Sequence, residues 1–149
     1  MAAKTFTGGD KLESVLKELA KKLDKSGTLN VGFLAGATYP DGTPVPMIAA
    51  IQEFGAPSVN IPPRPYFRNM IAKENGHWGD DLGKLLVHTE YDVNQSLGLM
   101  GMSIKGELQQ SIKDTNSPPL APATIKAKGF EKPLVDTGHM QNSVDFEIK

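Results

Sequence analysis

Three polar residues in the second half of the chain have a spacing that could bind a metal ion. His77, Asp81 and His88 stand at i, i+4 and i+11, so on a helix they share one face. Imidazole and carboxylate groups are ligands that zinc accepts. Lys84 lies on the same face, where its charge opposes a bound cation, and no His-Glu-x-x-His pattern is present. The sequence therefore favours a solvated polar face, with a metal site as the alternative.

A second candidate for chemistry is the triplet Asp136-Thr137-Gly138, which follows Leu134-Val135. Aspartic proteases use such a triplet, and two of their carboxylates share a proton across the catalytic site. Single-domain enzymes of that kind are nearly all β, whereas the apolar spacing of this chain is mostly helical. In a helical context, Asp136 or Thr137 is expected to cap the turn at 138–142. We interpret the triplet as structural.

Other catalytic motifs are missing from the sequence. Residues 32–36 follow a predicted strand but lack the Gly-Lys-Ser/Thr ending of a phosphate loop and the Gly-x-Gly-x-x-Gly spacing of a dinucleotide site. No Gly-x-Ser-x-Gly elbow occurs. The chain has no cysteine, which excludes disulfides, thiol nucleophiles and Cys-ligated metals and fits a cytoplasmic folding compartment. We predict no catalytic, cofactor-binding or metal-binding residue, no cofactor, and a protein that is not an enzyme.

Length and charge limit the remaining classes of function. The 149 residues suit a single domain spanning 1–149. The formal net charge of −1 argues against a strong attraction of the whole molecule to nucleic acid or anionic lipid. No apolar run approaches the roughly 20 residues that a membrane-spanning helix needs. The segment 1–9 has no apolar run and is not expected to be a secretory signal.

Apolar periodicity predicts the elements that position these residues. An amphipathic helix is expected over 10–25, with Asp10 as its cap, and further helices over 47–54, 66–91 (with a break near Asn75-Gly76) and 93–113. Alternation of apolar and polar residues predicts strands at 28–34 and 144–148, which would form an antiparallel pair with one face covered by helix. The predicted fold class is α+β: a small antiparallel sheet packed against several helices, with long ordered loops.

Three stretches of sequence, in this order, resemble one known family. They are Val31-Gly32-Phe33-Leu34 through Tyr39-Pro40-Asp41-Gly42-Thr43 to Ile48-Ala49-Ala50-Ile51-Gln52-Glu53-Phe54-Gly55, then Ile61-Pro62-Pro63-Arg64-Pro65-Tyr66-Phe67-Arg68, then Pro118-Pro119-Leu120-Ala121-Pro122-Ala123-Thr124-Ile125-Lys126 with Lys132-Pro133-Leu134-Val135-Asp136-Thr137-Gly138. The ordered set is similar to the tail-completion and neck proteins of tailed bacteriophages, the virion-morphogenesis group that includes minor tail protein Z-like chains. The match covers roughly residues 28–143.

The resemblance implies a structural virion protein at the head–tail junction or the top of the tail. It implies a homo-oligomeric ring, by family resemblance a hexamer, that contacts the tail tube, the tail terminator or the head–tail connector. The ring would be assembled in the host cytoplasm, and DNA would pass through its lumen without specific binding. No membrane is involved. The alternative is a phage-encoded aspartic protease-like or metal-dependent enzyme that acts in assembly.

Long ordered loops are often functional, and this chain has two, at 35–47 and 56–65. We expect Tyr39, Val45 and Pro46 to be exposed and to suit a contact with a neighbouring subunit. The full set of candidate contact residues for a subunit or the tail is Tyr39, Asp41, Thr43, Val45, Arg64 and Arg68. The alternative is that both loops only wrap their own domain.

Overall fold

The two predicted strands pair as expected. The computed structural model describes residues 8–25, 27–129, 134 and 138–149. Within it, β1 (Leu29–Phe33) and β2 (Val144–Ile148) form an antiparallel pair whose register places Val31 opposite Phe146 and Phe33 opposite Val144. Because side chains alternate along a strand, these apolar residues share one face of the sheet.

Helices make up most of the described chain. They are α1 (Gly9–Leu23), α2 (Val45–Phe54), α3 (Tyr66–His88), α4 (Val93–Asp114), α5 (Pro122–Lys128) and α6 (His139–Asn142), with a short 3-10 turn at Pro57–Val59. With the paired strands, they confirm the predicted α+β fold class. No helix of the described residues is long and apolar enough to span a membrane.

Two local predictions about helices are wrong. α3 runs without a break through Asn75 and Gly76, because it packs along α4, and this packing outweighs the roughly 1 kcal/mol that a helical glycine costs. Asp10 does not cap α1: the N-cap is Gly8, and no side chain bonds to the free N–H groups there. Asp10 lies instead in the first turn, where its negative charge interacts favourably with the positive end of the helix dipole.

The core lies where α4 crosses the sheet and α3. α4 packs against both strands on one side and against α3 on the other. The largest fully buried side chains are Tyr66, Leu108, Ile112, Val45 and Val144. At the crossing, Gly101 faces the ring of Phe146 so closely that an added Cβ atom would lie 2.5 Å from the ring. α4 therefore approaches the sheet at a distance that only glycine permits.

Candidate functional site

The guanidinium group of Arg64 lies at the centre of a buried junction. The residue is 4% exposed. Its Nε donates to the carbonyl oxygen of Pro118 at 3.0 Å, and its Nη2 donates to that of Pro119 at 3.4 Å. Its Nη1 donates to Gln52 Oε1 at 3.3 Å. Burial lowers the pKa of Arg64 below its ordinary value. A buried cation is tolerated only when its donors are satisfied, and here three acceptors surround it.

Glu53 lies beside this junction and ties α2 to the start of α3. Its buried carboxylate accepts the backbone N–H of Phe67 at 2.9 Å and that of Arg68 at 3.3 Å. These N–H groups belong to the first turn of α3, whose own N-cap, Pro65, supplies no side-chain bond. The carboxylate also accepts Arg68 Nε at 2.7 Å. Glu53 therefore caps α3 from a different helix, where the dipole favours a negative charge.

The three stretches that carry the family resemblance meet at this junction. Gln52 and Glu53 come from the first stretch, Arg64 from the second, and Pro118 and Pro119 from the third. Each stretch is bonded to another through a polar side chain. Arg64, one of the predicted contact residues for a subunit or the tail, is buried in the protomer, and its guanidinium is hydrogen-bonded within the domain. The side chain of Arg68 remains 58% exposed and lies over the ring of Phe54, 5.2 Å from its centroid.

The loop at 35–47 forms a tight, closed turn. The N–H of Tyr39 bonds to the carbonyl of Thr43 at 2.8 Å, and the N–H of Val45 bonds to that of Ala37 at 2.9 Å. At the tip, Asp41 Oδ1 accepts the N–H of Thr43 at 2.9 Å, and this bond lowers the pKa of Asp41. The loop is therefore ordered by its own hydrogen bonds, as its turn residues predict.

Of the predicted contact residues in this loop, the one that is exposed lies at its tip. Val45, which we expected to be exposed, is fully buried, because it begins α2 and points into the core. Tyr39 is half-buried, and its ring lies 4.8 Å from that of His139. Thr43 is also half-buried, which leaves Asp41 as the candidate contact residue of the loop that is fully on the surface.

A second polar cluster joins α3 to α4. His77 Nδ1 lies 2.7 Å from Asp81 Oδ2, and its Nε2 lies 3.0 Å from Glu74 Oε2 and 3.7 Å from Glu107 Oε1. Trp78 Nε1 donates to the other oxygen of Glu107 at 2.8 Å. The hydrogen bonds from Asp81 and then Glu74 raise the pKa of His77 above its ordinary value. His77 is therefore hydrogen-bonded to two acids of α3 and lies near a third acid, Glu107, on α4.

This cluster is also where a metal ion would fit best among the described residues. Glu74, His77 and Glu107 each offer one ligand atom, and these atoms lie within 4.8 Å of one another. The structure keeps two of the sequence-predicted residues together, His77 and Asp81, but exposed His88 is not part of the group. Glu107 was missed by sequence reasoning because it comes from another helix. The side chains of Glu74, His77 and Glu107 each already have a hydrogen-bond partner within the protein, and the partner of Glu107 is the indole N–H of Trp78.

Most of the apolar face of α1 is exposed among the described residues. No residue of this 15-residue helix is buried. Leu12, Val15, Leu16 and Leu23 are between 43% and 56% exposed, whereas Leu19 is half-buried. The polar side of the helix lies beside residues 89–94, where Lys22 Nζ donates to the carbonyl of Glu90 at 3.3 Å. The predicted amphipathic helix is therefore present, with most of its large apolar side chains in contact with solvent in the described part of the chain.

A second apolar surface lies on α2, which we call the α2 groove. Met47, Ala50 and Phe54 follow one another along the outer side of the helix, and Phe54 is 65% exposed. Beside them is a cavity of about 270 Å³. It is lined by Phe33, Pro46, Ala49, Ala50, Glu53, Phe54, Tyr66, Phe67 and Arg68. The charge of Glu53 is buried and paired, so the groove presents apolar surface with Arg68 at its edge.

Of the Asp-Thr-Gly triplet, the structure describes only Gly138. Asp136 and Thr137 lie outside the described residues, so the predicted cap is untested. Gly138 is described: it precedes α6 with a φ of 73°, a left-handed conformation that glycine adopts without strain. No family model, no curated protein and no solved structure matches this chain.

Proposed function

We propose that this chain is a structural protein of a tailed-bacteriophage virion that assembles as a ring at the head–tail junction or the top of the tail. The observation that carries the proposal is the apolar face of α1, most of which is exposed among the described residues. An isolated helix of this length is only marginally stable in water. Each half-exposed leucine also keeps apolar surface in contact with water, at about 25 cal/mol per Å². Packing against another protein chain removes both costs.

The three sequence stretches are the reason for proposing a role in the phage tail or neck. Their resemblance to tail-completion and neck proteins rests on Gln52, Glu53, Arg64 and the prolines at 118–119, among other residues. In the folded chain Arg64 donates to Gln52 and to both prolines, and Glu53 accepts the backbone N–H groups of Phe67 and Arg68. Because these residues bond the three sequence stretches to one another, the three stretches are expected to occur together in one sequence. This supports the resemblance and makes no use of catalytic chemistry.

The proposed partners are other copies of this chain and the neighbouring tail tube, tail terminator or head–tail connector. DNA would pass through the ring lumen without specific contacts, and no cofactor would be needed. The enzymatic alternative depends on Asp136 and on the cluster around His77. In that cluster each group is already paired with another protein group.

Assembly is the property to measure. The purified protein is examined by light scattering over a range of concentrations, alone and with tails of the phage that encodes it. We expect a ring, or binding to one end of the tail. A variant with Leu12→Ser and Leu16→Ser should lose both, whereas Val87→Ser, at an equally exposed apolar site on α3, should retain them. A wild-type protein that stays monomeric and does not bind tails would refute the proposal.

A further inference from the structure

We draw no further inference here: the strongest candidate, the α2 groove beside Phe54, is an unpartnered apolar surface, and nothing in the described part of the chain shows what covers it.

Discussion

Arg64 donates a hydrogen bond to the carbonyl oxygen of Pro118 at 3.0 Å, across 54 residues of sequence. The same guanidinium reaches Pro119 and Gln52. An arginine, unlike a lysine, presents several donors in a rigid plane and can satisfy acceptors from separate segments at once. This geometry makes the junction sensitive to a change that keeps the charge.

Arg64→Lys should lower the free energy of unfolding by about 2–3 kcal/mol, because buried carbonyl groups lose their donors. Arg68→Lys is the matched control. The Arg68 side chain is largely exposed, and Glu53 keeps two backbone N–H donors without it, so the loss should stay below about 1 kcal/mol. Urea unfolding measures both. Equal losses would show that the Arg64 junction is not a special point of stability.

Gly101→Ala should destabilise the protein despite the better helix propensity of alanine. The new Cβ would lie 2.5 Å from the ring of Phe146, and overpacking of this kind typically costs about 1–3 kcal/mol. Gly106→Ala on the same helix meets open space, so it should stabilise by up to about 1 kcal/mol. Thermal unfolding of the two variants should give shifts of opposite sign. A stabilised Gly101→Ala would mean that α4 sits farther from the sheet.

The tip of the 35–47 loop should matter for assembly more than for folding. Replacing Pro40 and Asp41 with two glycines, while keeping Gly42 with its φ of 86°, removes the Asp41 hydrogen bond but leaves Val45 in the core and Tyr39 against His139. We expect the melting temperature of the protein to fall by only a few degrees. Phage heads and tails should fail to join, or tails should become unstable at the head-proximal end. Electron microscopy and infectivity of phage carrying the change measure this. Normal, infectious particles would show that the tip of the loop has no role in assembly.

The His77 cluster should make stability depend on pH. The pKa of His77 is raised in the folded state, so its contribution is present at low pH and is lost as the pH rises through that raised value. The pKa values of Glu74 and Asp81 are lowered, by bonds to Lys73 and His77 respectively, so their contribution is lost as the pH falls through those lowered values. Glu107 faces His77 from α4.

The difference in melting temperature between the wild type and His77→Ala should therefore be greatest near pH 5–6, between the ordinary carboxylate and histidine pKa values, and should shrink as the pH rises through the raised pKa of His77. His88→Ala is the control, because His88 lies outside the cluster. A difference that does not change with pH would mean that His77 acts through packing alone.

Chelator and zinc experiments test whether the His77 cluster is a network of hydrogen bonds and ion pairs or a metal site. We expect a chelator to leave the melting temperature unchanged, because each side chain of the cluster is hydrogen-bonded to another protein group. Zinc that raises the melting temperature of the wild type but not that of Glu107→Gln would contradict this expectation and identify a cation site.

The sequence alone predicted the elements whose signals are local. Alternation in 29–33 and 144–148 predicted the two strands, and the 3–4 spacing of Leu12, Leu16 and Leu19 predicted α1, because side-chain direction follows directly from backbone period. The turn at Pro40-Asp41-Gly42 was predicted for a similar reason, since these residues favour the required dihedral angles. Such features depend on a few neighbouring residues.

Burial and pairing were decided by the tertiary structure. The same spacing that predicts α1 does not reveal that most of its apolar face is exposed in the described part of the chain, because coverage depends on where the other helices lie. Arg64 and Val45 read as surface residues in a loop-rich region, yet segments distant in sequence enclose them. Glu107 joins His77 only because α3 packs against α4. A local pattern determines which way a side chain points, whereas the residues that it meets are set by contacts that no local pattern encodes.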